Sequence, residues 1–296
     1  MSETETTELP APVVNGTPRE IAAGVYVIPD GRVPLVPNVG IVLGDEKALV
    51  VDTAMGPANG ARVRALADEI AGGRELLVTI THFHPEHGYG AQAFRDASIV
   101  YNRAQLDDLH DKGSGYLEMF RTFGAAVAKE LEGVELVEPD EVYDGDVHEL
   151  DLGGRRVDLR TWGRAHTRGD QVVFLPEERV LFTGDLVEER CFAIFPYFPP
   201  DDADVDGERW LAVLEHLEAL EPEVVVPGHG ETGGVEVVAA AREYITLLRD
   251  ESRRLRAAGV SVEDAVVELD ASMQALHPDW VQPEWVGFGV RHFYAT

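Results

Sequence analysis

Short apolar blocks separated by turn residues dominate the first half of the chain. Gly24 to Pro29 reads as a strand, and Val39 to Leu43 and Ala48 to Val51 read as two more around the Gly44-Asp45 turn. Ala58 to Ala71 spaces Val63, Leu66 and Ile70 on one helical face. A strand, Glu75 to Ile80, follows. Ala91 to Phe94 opens a short helix, and Ser98 to Tyr101 is again strand-like. Arg103 to Leu131 is mostly helical, with an interruption expected near Gly113-Ser114-Gly115.

The second half repeats the order. Val142-Tyr143, Glu149 to Leu152 and Arg156 to Trp162 read as strands, as do Gln171 to Leu175 and Arg179 to Phe182 around the turn Pro176-Glu177-Glu178. Helix Glu208 to Ala219 leads to strand Glu223 to Val226. Helices fill Val235 to Ala258 and Val262 to Leu276. Strands and helices interleave twice, with several hairpins between them. This predicts a two-sheet sandwich flanked by helices and built from two similar halves. Residues 1–18 are acidic, Thr/Pro-rich and without periodicity, which predicts a flexible tail.

Chemistry concentrates where the strands end. Three of the ten histidines fall in Thr81-His82-Phe83-His84-Pro85-Glu86-His87-Gly88, directly after a core-type strand. Such a loop aims several imidazoles and a carboxylate at one point, and neutral imidazole suits zinc, iron, copper or nickel. His166 follows the strand ending at Trp162, Asp185 the strand ending at Phe182, and His229 the strand ending at Val226. Loops at strand ends are where a rigid scaffold presents reactive groups. Each alone is an ordinary turn residue; four such loops together point to a metal site.

Charge narrows the partners. The 296 residues carry a formal net charge of -29, and such a surface repels phosphate backbones and anionic membranes, so neither nucleic acid nor membrane is an expected partner. Cys191 is the sole cysteine, which excludes an intrachain disulfide and a multi-cysteine metal site. The first residues offer neither a basic start nor an apolar stretch, and no apolar run reaches membrane-spanning length; a cytoplasmic protein is the expectation.

The ordered set His82, His84, His87, His166, Asp185 and His229 resembles the metallo-β-lactamase-fold superfamily of metallohydrolases, with His166 to Asp170 and Phe182 to Asp185 resembling its general hydrolase branch. The resemblance covers about residues 22–232. It implies a four-layer αββα sandwich with residues 19–232 as the catalytic domain and 233–296 as a helical extension packed on it. It also implies two metals at the sheet edge. His82, His84 and His166 would hold one; His87, His229 and position 86 would hold the other; Asp185 would bridge them. Asp52 matches the acidic residue before the histidine motif and would orient ligands. One position departs from the family: Glu86 stands where Asp is usual. Its carboxylate, one methylene longer, either bends back onto the metal or acts as an acid/base, and it makes iron or manganese alternatives to two zinc ions.

The expected chemistry is water activation, since a bound metal lowers the pKa of water from 15.7 to about 7. Glu86 and Asp185 are the candidate catalytic residues. Hydrolysis of an ester, thioester, lactone or amide of a small molecule is the leading expectation, and an iron-dependent oxidoreductase on the same fold is the alternative. Arg164 and Arg168 flank His166; they would hold a substrate carboxylate or pair with surface acids. Phe192, Phe195, Tyr197 and Phe198 follow Asp185, and Tyr116, Phe120 and Phe123 sit in the middle helix; substrate contact and core packing are both open for them. Trp280 and Trp285 would cover the core or a homodimer contact.

Overall fold

A computed structural model describes residues 9–200 and 202–296. Twelve strands form two sheets. The first is seven-stranded and sequential: β1 (Arg19–Ala22), β2 (Val25–Ile28), β3 (Val39–Leu43), β4 (Lys47–Val51), β5 (Glu75–Thr79), β6 (Ser98–Asn102) and β7 (Glu141–Tyr143). The second has the order β12 (Val224–Pro227), β11 (Val180–Gly184), β10 (Val172–Leu175), β9 (Arg156–Arg160), β8 (Val147–Asp151). Strands β4 to β7 run parallel, as do β11 and β12; the other pairs are antiparallel.

Alternation along the strands builds three apolar layers. On β4, Leu49 and Val51 face the second sheet, where Leu159, Val173, Val180 and Phe182 meet them. Ala48 and Val50 point the other way, toward α1 (Gly56–Ala71) and α3 (Arg103–Arg121). The outer face of the second sheet is covered by α5 (Gly207–Ala219) and α6 (Val235–Ala257) through Trp210, Leu214, Tyr244 and Ile245. The architecture is the αββα sandwich expected. Between these lie α2 (Pro85–Gly88) and α4 (Ala125–Glu130), and the chain closes with α7 (Val262–Leu276) and α8 (Glu284–Ala295).

Four local expectations are corrected. Helix α3 runs unbroken through Gly113–Gly115 and ends only before Gly124. Gly113 is there for close approach: a Cβ would lie 2.7 Å from Leu136, and Tyr89 donates to its carbonyl. Of the expected tail, residues 1–8 lie outside the described residues, but 9–18 do not hang free. Val14 is buried in the first helical layer, its N–H donates to Asn59 (2.9 Å), and Asn59 donates back to Pro12 (2.8 Å). Strand β1 and helix α8 were not legible: β1 is short and half exposed, and α8 packs on α6 and α7 through Val286, Val290 and Phe293 at spacings blurred by Gly287 and Gly289. Because α6 to α8 share one core with the second sheet, the extension is continuous with the domain.

Candidate metal centre

Parallel pairing puts the C-terminal ends of β4 and β5 side by side, and likewise β11 and β12. Asp52 follows β4, the histidine loop follows β5, Asp185 follows β11 and His229 follows β12. His166 comes from the β9–β10 loop. All are buried, together with Glu86. The rim is braced by polar side chains that no motif announces. Gln105 donates to Ile80 O (3.0 Å), Gln171 donates to Ile80 O (2.8 Å), and Gln171 N–H donates to Thr81 O (2.8 Å). Asn102 and Gln105 were readable at most as a capping box on α3, which they also form.

Two groups of donor atoms result: His82, His84, His166 and Asp185; and Glu86, His87, Asp185 and His229, each with its atoms within 4.8 Å of one another. Donors at about 2.0–2.1 Å from a tetrahedral zinc lie roughly 3.3 Å apart. In the first group His84 Nδ1 is 3.0 Å from His82 Nε2 and 3.3 Å from His166 Nε2. Asp185 turns one oxygen to each group. Oδ2 is 3.7 Å from His82 Nε2 and 3.9 Å from His166 Nε2, and Oδ1 is 3.3 Å from His87 Nε2 and 3.7 Å from His229 Nε2. Gly228 permits this placement, since a Cβ there would lie 1.9 Å from Asp185 Oδ1.

Both Asp185 oxygens, Glu86 Oε2 and His87 Nε2 are buried without a hydrogen-bond partner. Orphaned buried polar atoms are costly and rare, and four converging on one place are the mark of a cation's ligands. Nitrogen with carboxylate oxygen is a donor set for zinc or iron; the residues fit a metal.

The remaining nitrogens are tied down so that the ligand atoms point inward. His166 Nδ1 donates to Ile194 O and His229 Nδ1 to Val36 O, each at 2.9 Å. His87 Nδ1 donates to Asp52 Oδ2 (2.9 Å). Asp52 also accepts from Thr81 N (2.7 Å) and the Thr81 hydroxyl (3.0 Å), and that hydroxyl meets His82 Nδ1 at 3.1 Å. One carboxylate thereby orients a histidine of each group. Its backbone sits in the left-handed region (φ 70°), a strained conformation tolerated where surrounding structure enforces it. Asp170 organises the His166 loop, accepting from Ala165 N, Thr167 N and the Thr167 hydroxyl.

Burial pulls the His82 and His84 imidazoles well below their ordinary value and His166 down to about 4, so all three are neutral donors at physiological pH. Burial also disfavours charge on His87, but Asp185 and Asp52 lift it well above the ordinary range. Burial would raise Asp185, yet His87, His229 and His82 hold it well below the usual carboxylate range. Glu86 is raised, chiefly by burial.

A cavity opens beside the two groups, lined by His84, Glu86, Tyr116, Phe120, Phe123 and Ile194 among others. Phe192, Phe195 and Tyr197 are not on its wall. Phe192 and Phe195 are fully buried among Tyr244, Trp280, Trp210 and Phe293, and Tyr197 packs on the same core. These three side chains turn under the second sheet's helices, where apolar area is removed from water most completely, while Ile194, Pro196 and Phe198 of the same loop reach the cavity. Arg164 and Arg168 also lie off the wall: Arg164 pairs with Asp206 (3.4 Å), and Arg168 with Asp108 (2.8 Å) and Asp111 (2.9 Å). Of the two tryptophans, Trp280 packs on the core and Trp285 lines the cavity. Gln282 and Leu35 also line it, without any sequence signal.

The profile of the Metallo-beta-lactamase superfamily matches residues 32–229, and the chain belongs to that superfamily. Among its relatives, a "Metallo-beta-lactamase type 2" of Bacteroides fragilis is 26% identical over 221 residues, 71% of this chain and 76% of that protein. An acyl-coenzyme A thioesterase of Gallus gallus is 26% identical over 231 residues, 71% of this chain and 78% of that one. The solved DIM-1 metallo-beta-lactamase superposes with a TM-score of 0.61 at 18% identity, covering 79% of this chain and 98% of that one, a likeness of fold. At the level the family supports, the protein is a metal-dependent hydrolase. Among the described residues, no helix is long and apolar enough to cross a membrane.

Proposed function

We propose that the protein hydrolyses an ester, thioester, lactone or amide bond of a small molecule at a two-metal centre, with zinc the metal that suits it. The observation that carries this reading is the Asp185 carboxylate, buried with both oxygens unpartnered and one turned to each donor group. His82, His84 and His166 would hold one ion, Glu86, His87 and His229 the other, and Asp185 both. Metal bound there supplies Lewis acidity, making water a nucleophile near neutral pH and neutralising charge on the substrate oxygen.

The chain's own residues do the rest. Asp52 and Thr81 keep His82 and His87 turned inward. Ile194 O and Val36 O fix the tautomers of His166 and His229. Glu86 belongs to the second group and also lines the cavity, so its carboxylate would face both a bound metal and a substrate. It is placed to take a proton from the attacking water and hand it to the leaving atom. The water oxygen bonds to the carbonyl carbon, the bond to oxygen, sulfur or nitrogen breaks, and the leaving group departs with that proton.

The test is metal analysis of protein purified without added metal, paired with turnover of simple aryl esters before and after chelation. About two zinc ions per chain and chelator-sensitive hydrolysis are expected. One or two irons per chain with oxygen-dependent turnover would overturn the reading in favour of an oxidoreductase.

A further inference from the structure

The cavity beside the donor groups is walled by aromatic and aliphatic side chains, and its charged members among the described residues are His84, Glu86 and Asp202. No lysine or arginine on hand is free to meet an anion. Lys112, next to Tyr116, is mostly buried and ringed by Asp204 (2.7 Å), Asp202 (2.9 Å) and Asp108 (3.6 Å). Arg164 and Arg168 are engaged as described above. Arg32 lines a second cavity on the His229 side, where it is held by the Glu189 side chain and carbonyl.

Gln282 stands apart. It lines this cavity and also the second one, on the His229 side. Its Oε1 is buried and has no hydrogen-bond partner. Its backbone is in the left-handed region (φ 62°). Its neighbour Val281 is pinned to the loop after Asp185, donating to Arg190 O (3.0 Å) and accepting from Phe192 N (3.1 Å). A strained backbone presenting an unpaired amide at the junction of two cavities is the arrangement of a ligand contact. It lies outside residues 32–229, where the family profile matches.

We propose that this cavity takes an uncharged substrate, with an apolar body against Tyr116, Phe120 and Trp285 and a neutral hydrogen-bond donor, next to the scissile bond, paired with Gln282 Oε1. A carboxylate carried on the apolar body would be desolvated against Tyr116, Phe120 and Trp285, with no lysine or arginine on the wall to pair with it. The proposal rests on the hydrolytic reading for the bond that is cleaved, but not for what the cavity binds.

A matched pair of substrates tests it: the 4-nitrophenyl ester of hexanoic acid and the 4-nitrophenyl half-ester of adipic acid, equal in chain length and differing by a terminal carboxylate. The neutral ester is expected to show about 100-fold higher kcat/KM, the scale set by burying one unpaired charge. Equal or faster turnover of the half-ester overturns the proposal. Gln282→Leu should raise KM about tenfold for the 4-nitrophenyl ester of 2-hydroxyhexanoic acid, whose hydroxyl can donate to Oε1, the scale of one lost neutral hydrogen bond, and leave the hexanoate ester little changed. A merely structural role would move both esters alike; no change in their ratio counts against the amide contact. Binding is read separately from the Trp285 fluorescence change, with Trp285→Phe as the blank. N-hexylacetamide should bind at least tenfold more tightly than 6-acetamidohexanoate, again from the unpaired carboxylate. If neither ester is cleaved, the hydrolytic reading fails, and the fluorescence pair alone decides the cavity: tighter binding of the anion refutes it.

Discussion

The two donor groups share Asp185 and draw on both sheets, yet they are built differently. The first combines three neutral imidazoles with one carboxylate oxygen, and its nitrogens already stand at 3.0 and 3.3 Å, close to the edge of a zinc tetrahedron. The second holds Asp185 Oδ1 at 3.3 and 3.7 Å from its histidines, against 3.7 and 3.9 Å for Oδ2 in the first, and adds the Glu86 carboxylate. Neutral donors can be buried together at little electrostatic cost. Two carboxylates cannot, and they depend on a cation for neutralisation. The first group is therefore set by geometry, and the second by charge.

Removing a member of the geometric group should have the largest effect. His84→Ala is expected to abolish retention of the first metal and to cut turnover by about 10³-fold or more, the scale of several kcal/mol of charge stabilisation. Metal content and turnover check it together, and retained activity would refute the assignment. Next, Glu86→Gln keeps the shape and removes the charge. Metal content should fall from two toward one per chain, and turnover by about 10²-fold if the proton transfer is also lost. Two tightly held metals in this variant would erase the contrast between the groups.

Asp52→Ala probes what the groups share, because Asp52 reaches His87 directly and His82 through Thr81. Metal affinity should fall about 10- to 100-fold at both positions, measured by chelator competition. Weakening at one alone would break the proposed link. The smallest effect concerns the loop that carries His166. Burial pushes Asp170 from 3.8 up to about 7 against the pull of its Thr167 and Ala165 donors. Between those values the folded chain keeps a proton that the unfolded chain has released. Stability should therefore fall as pH rises from about 4 to about 7 and level off above. Asp170→Asn should flatten that slope in thermal unfolding of the metal-free protein; an unchanged slope would assign it to other groups.

Most of the frame was legible because it rests on local pattern. Strands such as Val39 to Leu43 and helices such as Val262 to Leu276 bury one face or both, and the period shows it. The donor residues were legible as types at strand ends. What misled was any inference that needed a direction in space. Phe192 and Phe195 lie near Asp185 in sequence but turn into the core, whereas Tyr116 and Phe120, nearly seventy positions earlier, reach the cavity. Arg168 flanks His166 but spends its charge on Asp108 across the loop. Gln282 carried no signal, because a lone glutamine before a helix has no periodic partner.

The chain by itself determined the order of its elements, the acidic balance of its charge, and a set of imidazoles and carboxylates after strands, since hydrophobic periodicity and residue chemistry are local properties. Only the tertiary structure decided that Asp185 faces two donor groups, that Asp52 serves both, and that the neighbouring cavity is apolar and without a free cation. Those facts depend on parallel strand pairing and on which side of a sheet a loop crosses. Contacts between residues a hundred positions apart are set by the packing of whole layers, not by any window of sequence.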